Sequence, residues 1–142
     1  LQCGANKNKI KCIRHDEFPS TITLEDSVHV SIPAQELKRA IKFTAFATAS
    51  DPTRPVLTGL LLRFFGNNLV VAGVDGYRLS VYKIELPNEF QEEVNLIVPA
   101  KVMRELARVI ASDDTEIALY FDSKNKAIFK VGNFEVGCLL ID

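Results

Sequence analysis

Ile32-Pro33-Ala34 recurs as Val98-Pro99-Ala100, and the two prolines stand 66 positions apart (99 − 33). Around the first copy, Val28–Ile32 reads as a strand and Pro33 to Ala47 as a helix. Leu37, Ala40, Ile41 and Thr44 fall at the spacing of a single buried helical face. Around the second copy, Val94–Val98 leads into a helix from Pro99 to Ala111, with Met103, Leu106, Ala107 and Ile110 as its apolar face. A proline suits a first helical turn, because the N–H it lacks would have no partner there. Ser31 lies just before the first helix, Asp51-Pro52 ends its pattern, and Ser112-Asp113-Asp114 closes the second.

Each helix is followed by three strands. Thr58–Phe65, Leu69–Val74 and Tyr77–Leu86 follow the first; Glu116–Phe121, Ala127–Val131 and Phe134–Ile141 follow the second. Ile117, Leu119 and Phe121 alternate with Glu116, Ala118 and Tyr120, the period of a strand with one face buried. Gly66-Asn67-Asn68, Asp75-Gly76 and Lys124-Asn125 are the turn signals. Asp75-Gly76 is the strongest, since a tight hairpin needs positive φ. The chain therefore reads as α+β: two βαβββ repeats whose strands pair as antiparallel sheet with both helices on one face.

The halves differ after their helices. Only the first carries the longer link Ala49-Ser50-Asp51-Pro52-Thr53-Arg54-Pro55, and an inserted loop with an Arg between prolines points to function more than a core position does. A weaker repeat joins the ends: Ile10–Asp16 is similar to Val136–Asp142. It predicts that residues 1–20 are the tail of a preceding domain of the same kind and that 21–142 form the domain proper.

Composition narrows the class. With 142 residues, 47% hydrophobic and 25% charged, the chain has the size and balance of one globular domain. Its net charge of −1 argues against nucleic-acid binding through overall positive charge, though not against a local basic face. Cys3, Cys12 and Cys138 are odd in number and show no CxxC spacing, so they read as buried thiols rather than a disulfide framework or zinc site. No apolar run is long enough to span a bilayer, and no partner membrane is expected.

Arg54-Pro55-Val56-Leu57-Thr58-Gly59-Leu60-Leu61-Leu62, followed by Val74-Asp75-Gly76-Tyr77-Arg78-Leu79-Ser80, resembles the second domain of the bacterial DNA sliding clamp, the beta subunit of DNA polymerase III. Leu96-Ile97-Val98-Pro99-Ala100-Lys101 is similar to that domain's second strand-to-helix junction, and Ile10–Pro19 to the end of the first domain. The resemblance implies the DNA-clamp fold and a cytoplasmic, non-catalytic processivity factor without cofactor or metal. In that family two three-domain subunits close head to tail as a homodimeric ring around double-stranded DNA. The DNA polymerase III catalytic subunit, the clamp loader and repair proteins dock by short peptides in a pocket between the second and third domains.

Two surfaces are expected. Lys101, Arg104 and Arg108 share one face of the second helix, and Lys38 and Lys42 share a face of the first. Such cations would meet phosphate without reading sequence, and the resemblance adds Arg54 as a loop residue near DNA. By motif match, the peptide pocket draws on Leu57, Thr58, Val74, Gly76, Tyr77, Arg78 and Leu79. Leu57, Val74 and Leu79 would wall it, Gly76 would let a backbone approach, and Arg78 would pack its stem and offer its head to a carbonyl or carboxylate. Gly73-Val74 stands where the family commonly has Ala-Thr, so the hydroxyl at that position is missing.

Two other readings compete. An enzyme would have to enlist Asp75, Arg78, His29 or His15, yet no nucleophile elbow, HExxH, phosphate-binding Gly-rich loop or metal cluster accompanies them. His29, between Val28 and Val30, reads as exposed. An unrelated α+β protein-interaction module with the same duplication would lack both the basic helix faces and the hairpin pocket.

Overall fold

Both Pro-Ala junctions turn a strand into a helix. Pro33 and Pro99 cap the helices at φ −55° and −51°, already in the helical range, with no side-chain cap. The computed structural model describes residues 2–17 and 22–142. Its elements are β1 (Gln2–Cys3), β2 (Asn6–Lys7), β3 (Val28–Pro33), α1 (Ala34–Thr44), β4 (Gly59–Val74), β5 (Leu79–Pro99), α2 (Ala100–Val109), β6 (Glu116–Phe121), β7 (Lys126–Val131) and β8 (Phe134–Leu139). Short 3-10 turns occupy His15–Glu17, Ala45–Ala47 and Pro55–Thr58.

Both helices are a little shorter than the sequence pattern predicts. After Thr44, whose hydroxyl donates to the Ala40 carbonyl, α1 tightens into the 3-10 turn that ends at Ala47. At the end of α2, Ile110 turns extended and buries its side chain, while the Asp114 carboxylate accepts the Ala111 N–H. Ser31 does not cap α1; its hydroxyl donates to Glu116.

The second half forms a four-stranded antiparallel sheet in the order β3-β6-β7-β8, with β3 borrowed from the first half. Gly59–Val74 and Leu79–Pro99 run in continuous strand conformation, where the sequence predicts four separate strands. Each nevertheless works as two limbs. Residues 59–64 pair with 94–99, and 68–74 pair with 79–85, with the register broken around Gly66. A straight strand would hold residues 60 and 73 about 43 Å apart. Instead, Leu60 Cδ2 lies 3.1 Å from where a Cβ on Gly73 would stand. The run thus folds back at Gly66-Asn67-Asn68, with Gly66 at φ +54°. β5 wraps the tip of that hairpin, so the limb order is 94–99, 59–66, 67–74, 79–86.

This arrangement matches the other sheet limb for limb. Pro33 pairs with Glu116 and Pro99 with Gly59, so each helix-leading strand joins the sheet of the opposite half. Gly59 follows Pro33 by 26 positions (59 − 33), whereas Glu116 follows Pro99 by 17 (116 − 99), which makes the first link nine residues longer.

Burial follows the predicted faces. Leu37, Ala40, Ile41 and Thr44 are buried on α1, as are Met103 and Leu106 on α2. The helices touch each other and share one apolar cluster with Leu60, Phe64, Ile117 and Phe129 from the two sheets. Ile117, Leu119 and Phe121 point inward, as their alternation predicts, and exposed His29 stacks on Tyr120 at 4.8 Å. Residues 2–17 are exposed throughout. The expectation of buried thiols holds only for Cys138, since Cys3 and Cys12 lie in this exposed stretch. Burial pushes the Cys138 thiol up to about 11, which keeps it protonated and unreactive.

Candidate functional site

The Asp75-Gly76 signal builds a closed hairpin. Asp75 Oδ1 accepts the backbone N–H groups of Tyr77 and Arg78, both at 3.0 Å, while its N–H donates to the Arg78 carbonyl at 3.3 Å. Gly76 takes φ +94°, which a side chain would resist. Asp75 Oδ2 pairs with Arg78 Nε at 2.9 Å. These contacts hold the Asp75 carboxyl below its ordinary value, the Tyr77 N–H contributing most. The tether also aims Arg78, whose guanidinium carbon sits 5.5 Å from the centre of the Phe46 ring.

Beside the hairpin lies an apolar hollow of about 210 Å³ lined by Val56, Leu57, Gly59, Leu61, Ala72, Val74, Leu79 and Ile97. A more open hollow of about 220 Å³ adjoins it, lined by Val74, Gly76, Tyr77, Arg78 and Leu79. The structure therefore brings together Leu57, Val74, Gly76, Tyr77, Arg78 and Leu79. Thr58 lines neither hollow; its hydroxyl donates to the Pro55 carbonyl at 2.6 Å and closes the 3-10 turn that carries Val56 and Leu57. Leu79 is 66% exposed and Tyr77 99% exposed, which is unusual for large apolar or aromatic residues without a partner.

Sequence reasoning missed Val56, Gly59, Leu61, Ala72 and Ile97 among the residues that line the apolar hollow. The signal was present: Leu60-Leu61-Leu62 is apolar without interruption, and strand alternation forces its middle residue away from the core that buries the other two.

The basic residues divide into two groups. Lys42, Arg104 and Arg108 line a groove of about 330 Å³ between the helices, together with Ile41, Ala45, Phe46 and Ala107. Lys101 is exposed on the first turn of α2. Arg108 pairs with Glu105 at 2.9 Å. Lys38 and Arg104 have a further task. Lys38 Nζ donates to the Ile110 carbonyl at 2.6 Å, just past α2, and Arg104 Nη2 donates to the Ala45 carbonyl at 2.7 Å, just past α1. Each helix thus lends a cation to the carbonyl end of the other, where the helix dipole favours positive charge. The two residues are 66 positions apart (104 − 38), the spacing of the repeat. Arg54 joins neither helix. Its Nη1 comes within 4.0 Å of a Cβ position on Gly76, which places it at the hairpin.

A duplicated clamp-type domain with an apolar hollow and a cation-bearing helix pair is the class this geometry defines. The sequence profile of the DNA polymerase III beta subunit, central domain, matches residues 31–142, and the chain belongs to that family. It is 35% identical over 135 residues to the beta sliding clamp of Staphylococcus epidermidis, covering 94% of this chain and 35% of that protein. The DNA polymerase sliding clamp from Bacillus subtilis superposes with a TM-score of 0.83 at 26% identity, over 92% of this chain and 34% of that one. A DNA polymerase III beta subunit from Pseudomonas aeruginosa, solved bound to griselimycin, gives a TM-score of 0.82 at 29% identity, over 92% and 35%. The chain spans about a third of the length of the relatives it matches. No helix among the described residues is long and apolar enough to cross a membrane.

Proposed function

We propose that this chain is a segment of a cytoplasmic, non-catalytic replication clamp that encircles duplex DNA and tethers the polymerase III catalytic subunit, the clamp loader and repair proteins by short peptides. Residues 1–20 are then the tail of a preceding clamp domain, and the full ring is a head-to-tail homodimer. The observation that carries the reading is the apolar hollow at Val74 and Leu79, set beside a hairpin that Asp75 holds closed. It is shaped for one or two apolar side chains of a bound peptide, with Arg78 and the Tyr77 ring at its rim. Arg54, the loop residue expected near DNA, lies close to Gly76 of the same hairpin.

Lys38, Lys42, Lys101, Arg104 and Arg108 form the face turned to DNA. Lys42, Lys101 and Arg108 are the cations best able to follow phosphates, because Lys38 and Arg104 are held by carbonyls of the opposite helix. Weak, sequence-independent contact of this kind suits a ring that slides.

Titration of a fluorescent clamp-binding peptide into wild type and Leu79→Ala tests the pocket. Loss of a central apolar anchor weakens binding about tenfold or more. Equal affinity of the two forms would overturn the assignment. Griselimycin, to which the Pseudomonas relative is bound, serves as a second ligand for the same comparison.

A further inference from the structure

The groove between the helices holds more than cations. Phe46 lines it and remains 57% exposed, and its neighbour Phe43 is 51% exposed. Two open phenyl rings are costly on a surface whose only task is to meet the sugar-phosphate rails of a duplex, where bases are stacked away from reach. Their setting is specific. The Arg78 guanidinium rests 5.5 Å from the Phe46 centroid, and Lys42 Nζ lies 5.8 Å from that of Phe43. Phe43 is backed by Tyr82 in a stacked pair at 6.2 Å. Arg104 is fixed by the carbonyl of Ala45 and the hydroxyl of Thr48, so the groove wall is preorganised. Its lining residues include three cations and no carboxylate.

A flat ring held among cations in an open groove is the chemistry that binds single-stranded nucleic acid: the base stacks and the phosphate pairs. We propose that the groove between α1 and α2 captures an unpaired nucleotide of single-stranded DNA, with Phe46 as the stacking platform and Lys42 and Arg108 as the phosphate contacts. The inference rests on the reading of this helix face as the one turned to DNA. It adds a preference for unpaired strand that cations alone would not give.

Fluorescence anisotropy at low salt, with a labelled oligothymidylate and a duplex of equal length, tests the inference on the intact chain. Phe46→Ala should weaken oligothymidylate binding about fivefold, the lower end of what one lost base–aromatic stack costs. It should leave duplex binding unchanged, and Phe46→Tyr should restore the wild-type value. Arg108→Gln should weaken both ligands, because it removes a phosphate contact that either can make. Far-UV circular dichroism melts check that each variant folds. Unchanged oligothymidylate affinity in folded Phe46→Ala, or an equal loss on both ligands, overturns the stacking platform. Should Arg108→Gln and Lys42→Gln also change neither ligand, the DNA-facing reading of the helices falls with it.

Discussion

The two halves of the molecule share a scaffold and differ in what they attach to it. Leu37 and Met103 occupy the same place on the two helices, Lys38 and Arg104 cap in the same way, and the strand pairings at Pro33–Glu116 and Pro99–Gly59 correspond. The first half adds nine link residues, a 3-10 turn at Pro55–Thr58 and an Asp-closed hairpin. The second passes from α2 to β6 directly and turns β7 into β8 on Gly132-Asn133. The apolar hollow lies on the side with the additions, where Val56 and Leu57 of the extra turn meet Val74 and Leu79 of the hairpin. Duplication supplies a frame, and the departure from symmetry supplies the hollow.

The comparison can be broken most sharply in the core. Leu37→Ala and Met103→Ala each remove a fully buried side chain at equivalent positions, and each should cost about 2–5 kcal/mol in urea denaturation. If one variant were near-neutral while the other unfolded the chain, the halves would not be energetic equivalents.

A smaller effect is expected where the halves diverge inside the core. Gly73 faces inward where Val131 does in the second half, and a Cβ there would collide with the Thr44 carbonyl at the end of α1. Because that obstacle is backbone, Gly73→Ala should destabilise by about 1–3 kcal/mol. An unchanged denaturation midpoint would show that α1 can shift.

The reciprocal caps come next. Lys38→Met and Arg104→Met each remove a charged hydrogen bond to a helix-end carbonyl, at about 1 kcal/mol apiece after allowance for solvent. Similar losses for the two would sharpen the symmetry; a loss in one alone would assign the lock to a single helix.

The smallest effect is local and set by pH. The Asp75 carboxyl is held below its ordinary value of 3.8, so its contribution to the hairpin is complete above that pH. It is lost as pH falls through the lower, folded value. NMR titration of the Asp75 carboxyl should give a midpoint below 3.8. The turn at Gly132-Asn133 has no carboxylate of its own and should not follow the same titration. A midpoint at or above 3.8 would mean that the hairpin bonds do not persist in solution.

Much of this was legible in the chain itself. The Pro-Ala repeat located both helices, and alternation along Glu116–Phe121 located the inward face, because helical and strand periods are written directly in where apolar residues fall. Three residues of the hollow, Leu57, Val74 and Leu79, followed from the Asp-Gly hairpin and the motif around Leu57. Two things did not follow. The reciprocal caps depend on how the helices lie against each other, which no local spacing encodes, so Lys38 and Arg104 read only as DNA-facing cations. Thr58 read as a pocket residue with Leu57, whereas its hydroxyl is spent within its own turn.

The strand exchange between halves has a mechanical consequence. Neither half owns a complete sheet: residues 28–33 pair with 116–121, and 94–99 with 59–64. The molecule is an intramolecular swap in which each lobe is the other's template, so it should melt in a single cooperative transition. Severed near residue 88, the two pieces should be unstructured alone and regain their fold on mixing, like partners of an obligate heterodimer.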